Sequence, residues 1–184
     1  MNKFKIYDIT DAPTDSREHL EKIRQDHGYV PNEYGVMAES PALLKGYVAL
    51  KELFDKVTLS AQEQKIVLLT ASHENGSEYC VDVHSRAAEK HHVPADVIGA
   101  IHADTPLKDK RLEALRSFTA KAVNCRGKVS DNAITEFLEA GYTRANILEV
   151  VLDISMATLT NYTNLVAKTI LDRQLESKVQ QTVH

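Results

Sequence analysis

At 184 residues with a net charge of −4, the chain has the size of one domain and carries no basic footprint for nucleic acid. Apolar residues at 43% and charged residues at 26% suit a soluble globular protein, and aromatics at 6% without Trp leave no stacking platform for bases. Two cysteines cannot build a disulfide framework, no 18-residue apolar run offers a membrane span, and Met1–Asp8 lacks a secretory apolar stretch. The expected setting is therefore a reducing cytoplasm, where thiols persist.

Helical signals follow one another along the chain, with no convincing run of alternating strands. Thr14-Asp15-Ser16 opens a charged amphipathic helix that stops at Gly28. Val30-Pro31-Asn32 makes a turn and starts a short helix through Met37. Ser40-Pro41 offers a cap and a first-turn proline, and Leu43, Leu44, Tyr47, Leu50, Leu53 and Phe54 follow at helical spacing. Ser60-Ala61-Gln62-Glu63 is a capping box, opening a helix with Ile66 to Leu69 that ends at Asn75-Gly76. Ser77 then caps a helix to about Lys90, and Pro94 begins a short one through Ile101. Leu112, Leu115, Phe118 and Val123 mark another helix, closed near Gly127. Ser130-Asp131 starts one that ends at Gly141, and Thr143 caps the last. That last helix is apolar almost all round from Ile147 to Leu159, which predicts burial in the core or at a subunit contact. Asp153 within it is costly unless paired or facing a polar cavity. The expectation is one all-α domain over residues 1–176, about seven to nine helices, with a frayed tail at 177–184.

The densest chemistry lies in Asn75 to His84. Cys80 comes just after a helix break, and His84 follows four residues later, so both side chains share one helix face. A thiol near a helix N-terminus and beside an imidazole has two reasons to ionise, and the thiolate is the reactive form. Cys80 thus reads as a redox-active nucleophile and His84 as its proton partner or the stabiliser of its thiolate. The plainer alternative is a packed core cysteine beside an ordinary helical histidine. A metal site at Cys80 and His84, with His73 or Glu78 added, would need three or four ligands. No second Cys/His pair has finger-like spacing, and adjacent His91 and His92 diverge by about 100° on a helix. No metal is therefore expected.

Taken in order, several short motifs resemble the carboxymuconolactone decarboxylase superfamily, in its alkylhydroperoxidase D-like (AhpD-like), peroxidase-related branch. They are Gly28-Tyr29-Val30-Pro31-Asn32, Ser40 to Leu44, Leu59-Ser60 with Glu63, and Asn75 to Ser85. Val129-Ser130-Asp131, Ala140 to Thr143 and Asn161-Tyr162-Thr163-Asn164 continue the series. The resemblance implies an AhpD-like multi-helix bundle that assembles into trimers or hexamers, with a thiol peroxidase or disulfide-reductase site where the motif is complete. Here it is not complete. The family pattern Cys-x-x-Cys-x-x-x-His has Ser77 at its first cysteine, then Cys80 and His84. The relay glutamate of the preceding helix falls on Lys65, while Glu63 lies two residues off, on another face. After the Asn-Tyr-x-Asn stretch, Leu165 stands where related proteins often have His.

A serine cannot resolve a sulfenic acid into a disulfide, so oxidised Cys80 would need an external thiol, a partner protein or Cys125. The expected activity is a one-cysteine hydroperoxidase with antioxidant character, a hydroperoxide as substrate, no cofactor and an external thiol reductant. Ser77 could donate a hydrogen bond to the sulfur or simply cap its helix. Lys65 could favour the thiolate or be an ordinary solvated lysine, and Glu63 is accounted for by its capping box. The alternatives are a non-peroxidase redox sensor or oligomeric scaffold, and, less in keeping with the cysteine motif, a lactone decarboxylase. No nucleic acid or membrane partner is expected.

Overall fold

The computed structural model describes residues 4–172, and the expected tail at 177–184 lies outside them. Among the described residues there are nine α-helices and no strand. They are α1 (Thr14–His27), α2 (Asn32–Met37), α3 (Pro41–Phe54), α4 (Ala61–Glu74), α5 (Glu78–Lys90), α6 (Ala95–His102), α7 (Lys110–Asn124), α8 (Asp131–Glu139) and α9 (Arg144–Ala167). No helix among the described residues is long and apolar enough to cross a membrane.

The described residues form two compact units, 4–50 with 162–172, and Lys51–Asn161. Helices α3 and α9 contribute to both. In the first unit, α1 buries Leu20 and Ile23 and ends where Gly28 turns left-handed at φ +82°. The Ser16 hydroxyl donates to the Ala38 carbonyl at 2.8 Å, tying α1 to the end of α2. Tyr34 and Tyr47 pack at 5.6 Å between ring centres. Gly35 lies so close to the N-terminal segment that a Cβ there would sit 2.7 Å from Ile6 and 2.8 Å from the Tyr7 carbonyl.

In the second unit α4 is the central rod. It is buried from Glu63 to Ser72 except at Lys65, and packs against α5, α6 and α7. Burying Ile66, Val67, Leu68 and Leu69 contributes roughly 1.5–3 kcal/mol each. Phe118, Phe137 and Tyr142 stack in series at 4.6 and 4.5 Å, closing α7, α8 and the start of α9 over that rod. Local chemistry sets the helix ends. Ser60 and Glu63 form the reciprocal capping box, Asp109 caps α7, Ser130 caps α8, and Thr143 exchanges hydrogen bonds with Asn146 at the start of α9.

The apolar stretch of α9 is not buried all round. Leu148 is 70% exposed and Val151 50% exposed, while Val150, Asp153 and Ala157 on the opposite flank are buried. One side of the helix faces the core of its own chain, and the composition alone could not say that the other side faces outward.

Candidate functional site

The turn between α4 and α5 positions the thiol. Gly76 adopts φ +67°, its N–H donates to the His73 carbonyl, and the Ser77 N–H donates to the Ser72 carbonyl. This pair of bonds is a Schellman closure of α4. The same Ser77 is the residue before α5, so one residue ends one helix and opens the next. The turn is held from outside as well: Asn161 of α9 donates to the Ser72 hydroxyl at 3.0 Å and accepts from the Asn75 side chain at 2.8 Å. Cys80 is consequently the third residue of α5, where backbone N–H groups lack intrahelical acceptors and carry partial positive charge.

Cys80 is 1% exposed and belongs to no disulfide. His84, one turn on, is partly buried. Burial, with the Lys65 cation adding to it, pushes the His84 pKa down to about 4. The imidazole is therefore neutral at physiological pH. The resting imidazole therefore supplies no positive charge to stabilise a thiolate, which departs from that part of the sequence expectation.

The cation that acts on His84 is Lys65. It is partly buried rather than solvated, and its ammonium lies 5.1 Å above the Phe54 ring. Burial lowers its pKa, with Asp55 and Asp153 opposing and Lys51 assisting. Ser77 does not behave as expected. Its side chain makes no capping bond, and its hydroxyl is buried without any hydrogen-bond partner, so it neither caps α5 nor donates to the sulfur.

Glu63 is engaged elsewhere. One carboxylate oxygen accepts from the Ser60 N–H at 2.8 Å, and the other receives Arg111 and, at 2.9 Å, the Tyr142 hydroxyl. Those bonds outweigh the cost of its burial and hold its pKa below the usual carboxylate range. Its role is structural, joining α4, α7 and the start of α9. Cys125 sits exposed just after α7 and Cys80 is buried on α5; neither forms a disulfide. Among the described residues, no three His, Cys, Asp or Glu side chains gather as a metal-holding group.

The sequence model of the carboxymuconolactone decarboxylase family matches residues 41–116, which span α3 to the first turns of α7 and include Lys65, Ser77, Cys80 and His84. Over that stretch the chain is similar to the carboxymuconolactone decarboxylase family. Its fold is AhpD-like. It is similar to an AhpD-core, peroxidase-related protein of Ralstonia eutropha JMP134, with a TM-score of 0.82, 16% identity, and 95% of this chain and 96% of that one covered. The debrominase Bmp8, in a cysteine-to-alanine variant bound to 2,3,4-tribromopyrrole, gives a TM-score of 0.80 at 17% identity over 98% of both chains. A peroxidase-related protein of Silicibacter sp. TM1040 gives 0.79 at 16% over 95% of each. At such identities the likeness is one of fold. No curated protein matches the sequence.

Proposed function

We propose that this AhpD-like chain is a one-cysteine, thiol-dependent hydroperoxide reductase. The observation that carries the reading is the α5 face itself: a buried Cys80 at the helix start, a neutral His84 one turn on, and the Lys65 cation of α4 beside that imidazole. His84 takes the proton of the Cys80 thiol. The thiolate attacks the terminal oxygen of the hydroperoxide, forming the S–O bond as the O–O bond breaks. The departing alkoxide recovers the proton from His84 and leaves as the alcohol. Cys80 is then a sulfenic acid. A small external thiol condenses with it, releasing water and leaving a mixed disulfide, and a second thiol frees Cys80 as the external disulfide departs. No cofactor is needed, and the reducing thiols supply both electrons.

The fold likeness to a debrominase supports a second reading. There the thiolate would take bromine from a brominated heteroaromatic while the ring carbon gains a proton. The resulting sulfenyl bromide would yield bromide and a mixed disulfide with an external thiol. Both readings oxidise Cys80 and use the same reductant class. The family resemblance also leads us to propose a homo-oligomer, in which a second copy covers Leu148 and Val151.

The test is turnover of hydrogen peroxide or cumene hydroperoxide with excess small thiol, in Cys125→Ala protein. Cys80→Ser should abolish it, and His84→Ala should lower kcat by roughly 10²–10⁴-fold. Full turnover in Cys80→Ser would overturn the thiol mechanism. Bromide release from a bromopyrrole without peroxide consumption would establish the second reading instead.

A further inference from the structure

The apolar middle of α9 carries one acid. Asp153 is fully buried, and neither of its carboxyl oxygens has a hydrogen-bond partner. An ionised carboxylate is not stable in such a place, because stripping it of water without supplying donors costs several kcal/mol. The acid therefore stays protonated. Glu149 and Lys65 are the charged groups it feels; burial and Glu149 raise its pKa to about 8, against a smaller pull from Lys65.

Two ties fix where this acid sits. One turn before it, Glu149 accepts from Thr58 and Leu59, just ahead of α4. Two turns beyond it, Asn161 bonds Ser72 and Asn75 at the end of α4. Helices α9 and α4 therefore run side by side in the same direction, and Asp153 falls level with the first half of α4, where Lys65 projects. Lys65 in turn faces Asp55 and Lys51, and acts on His84 from the α4 side of α5.

We propose that Asp153 is the acid of the Cys80 site, supplied by α9 where α4 offers only Lys65. It is a positioning residue that acts through Lys65. While Asp153 is neutral, Asp55 is the one acid among the described residues that offsets the Lys65 charge, and the remainder supports the thiolate on α5. Once Asp153 releases its proton to solvent, the carboxylate pairs with Lys65 and withdraws that support. The inference rests on the thiol reading for its purpose, but its test does not require turnover.

The experiment follows Cys80 thiolate formation by ultraviolet absorbance against pH in Cys125→Ala protein. With Asp153 present, the titration should broaden across pH 8, as the carboxylate forms and opposes further thiolate. Asp153→Asn should give a single, sharper titration with more thiolate above pH 8 and an unchanged curve below pH 7. Lys65→Met should move the curve alkaline by about one pH unit. In the Lys65→Met background, Asp153→Asn should then change little. Broadening that persists in Asp153→Asn, or an equal effect of Asp153→Asn with and without Lys65, would overturn the proposal. A ¹³C NMR titration of the aspartate carboxyls needs no variant to fold: one must titrate near pH 8, and its absence is equally fatal. Peroxide consumption measured alongside separates the two claims. An Asp153-dependent thiolate without turnover would sink the peroxidase reading and leave this one standing.

Discussion

Keeping a proton on Asp153 has a thermodynamic consequence that can be measured without any substrate. The group's pKa rises from 3.8 to about 8 on folding, so the folded state holds a proton that the unfolded state has lost over that interval. For an acid raised in this way, full stability is present below the unfolded pKa and is lost as pH rises through the folded one. Each pH unit is worth about 1.4 kcal/mol, so at pH 7 the cost is roughly 4 kcal/mol. His84 has the opposite sign. Its pKa falls from 6.5 to about 4, so stability is present above 6.5 and lost as pH falls toward 4. Between pH 4 and 6.5 the two slopes oppose each other. Between 6.5 and 8 His84 no longer contributes, and Asp153 should remove roughly 2 kcal/mol.

Asp153→Asn isolates one of these slopes, because the amide is nearly isosteric and does not titrate. The assay is urea unfolding of parent and variant at pH 5 and pH 8, at one fixed protein concentration so that any assembly contributes equally. The variant should gain on the parent by roughly 4 kcal/mol between the two pH values, whatever constant difference separates amide and acid. A pH-dependent gain below about 1 kcal/mol would mean that Asp153 ionises freely in the folded protein. The reasoning from burial would then be wrong, and the proposed coupling to Lys65 would lose its basis.

Two further outcomes follow from single side chains. Ser77→Cys places a second thiol one turn before Cys80 and replaces a buried, unbonded hydroxyl, so stability should hold or improve by about 1 kcal/mol. Peroxide treatment should then yield an internal 77–80 disulfide, read by mass spectrometry, in place of a mixed disulfide with the external thiol. Continued mixed-disulfide formation would show that the two positions cannot meet. Gly35→Ala should destabilise by about 1–3 kcal/mol in thermal or urea unfolding, because its methyl would meet the Tyr7 backbone, which is itself tied to Gly35 by a 3.1 Å hydrogen bond. Unchanged stability would mean that the N-terminal segment does not hold that contact in solution.

The helices were legible because their ends are local chemistry. Ser60 with Glu63, Thr143 with Asn146, and the glycines at 28, 76 and 141 act on neighbours within a few residues, so sequence order and spatial order coincide. That Cys80 and His84 lie one turn apart on a single helix was legible for the same reason. Ser77 misled because two local rules compete there. A serine before a helix usually caps it, but this one also finishes the preceding helix, and its hydroxyl is left without a hydrogen bond. Glu63 belonged to its capping box, yet nothing in the chain order announced Tyr142 and Arg111 as its other partners.

Asp153 shows what periodicity can and cannot deliver. An acid in an apolar helix is visible in the sequence as an anomaly, and its burial cost follows at once. Its meaning depends on which residue of α4 lies beside it, and that is set by contacts at both ends of the helix pair, from Thr58 to Glu149 and from Ser72 to Asn161. The same register explains why the change at position 65 need not empty the site. A lysine there cannot act as the relay acid, but it can hold the charge that a neutral His84 does not supply. On our proposal, a buried acid on the neighbouring helix then sets the pH at which that charge is available. The serine at 77 leaves one thiol in this setting, and a single thiol with an adjustable field is suited to a reaction that ends each cycle on an external reductant rather than on an internal disulfide.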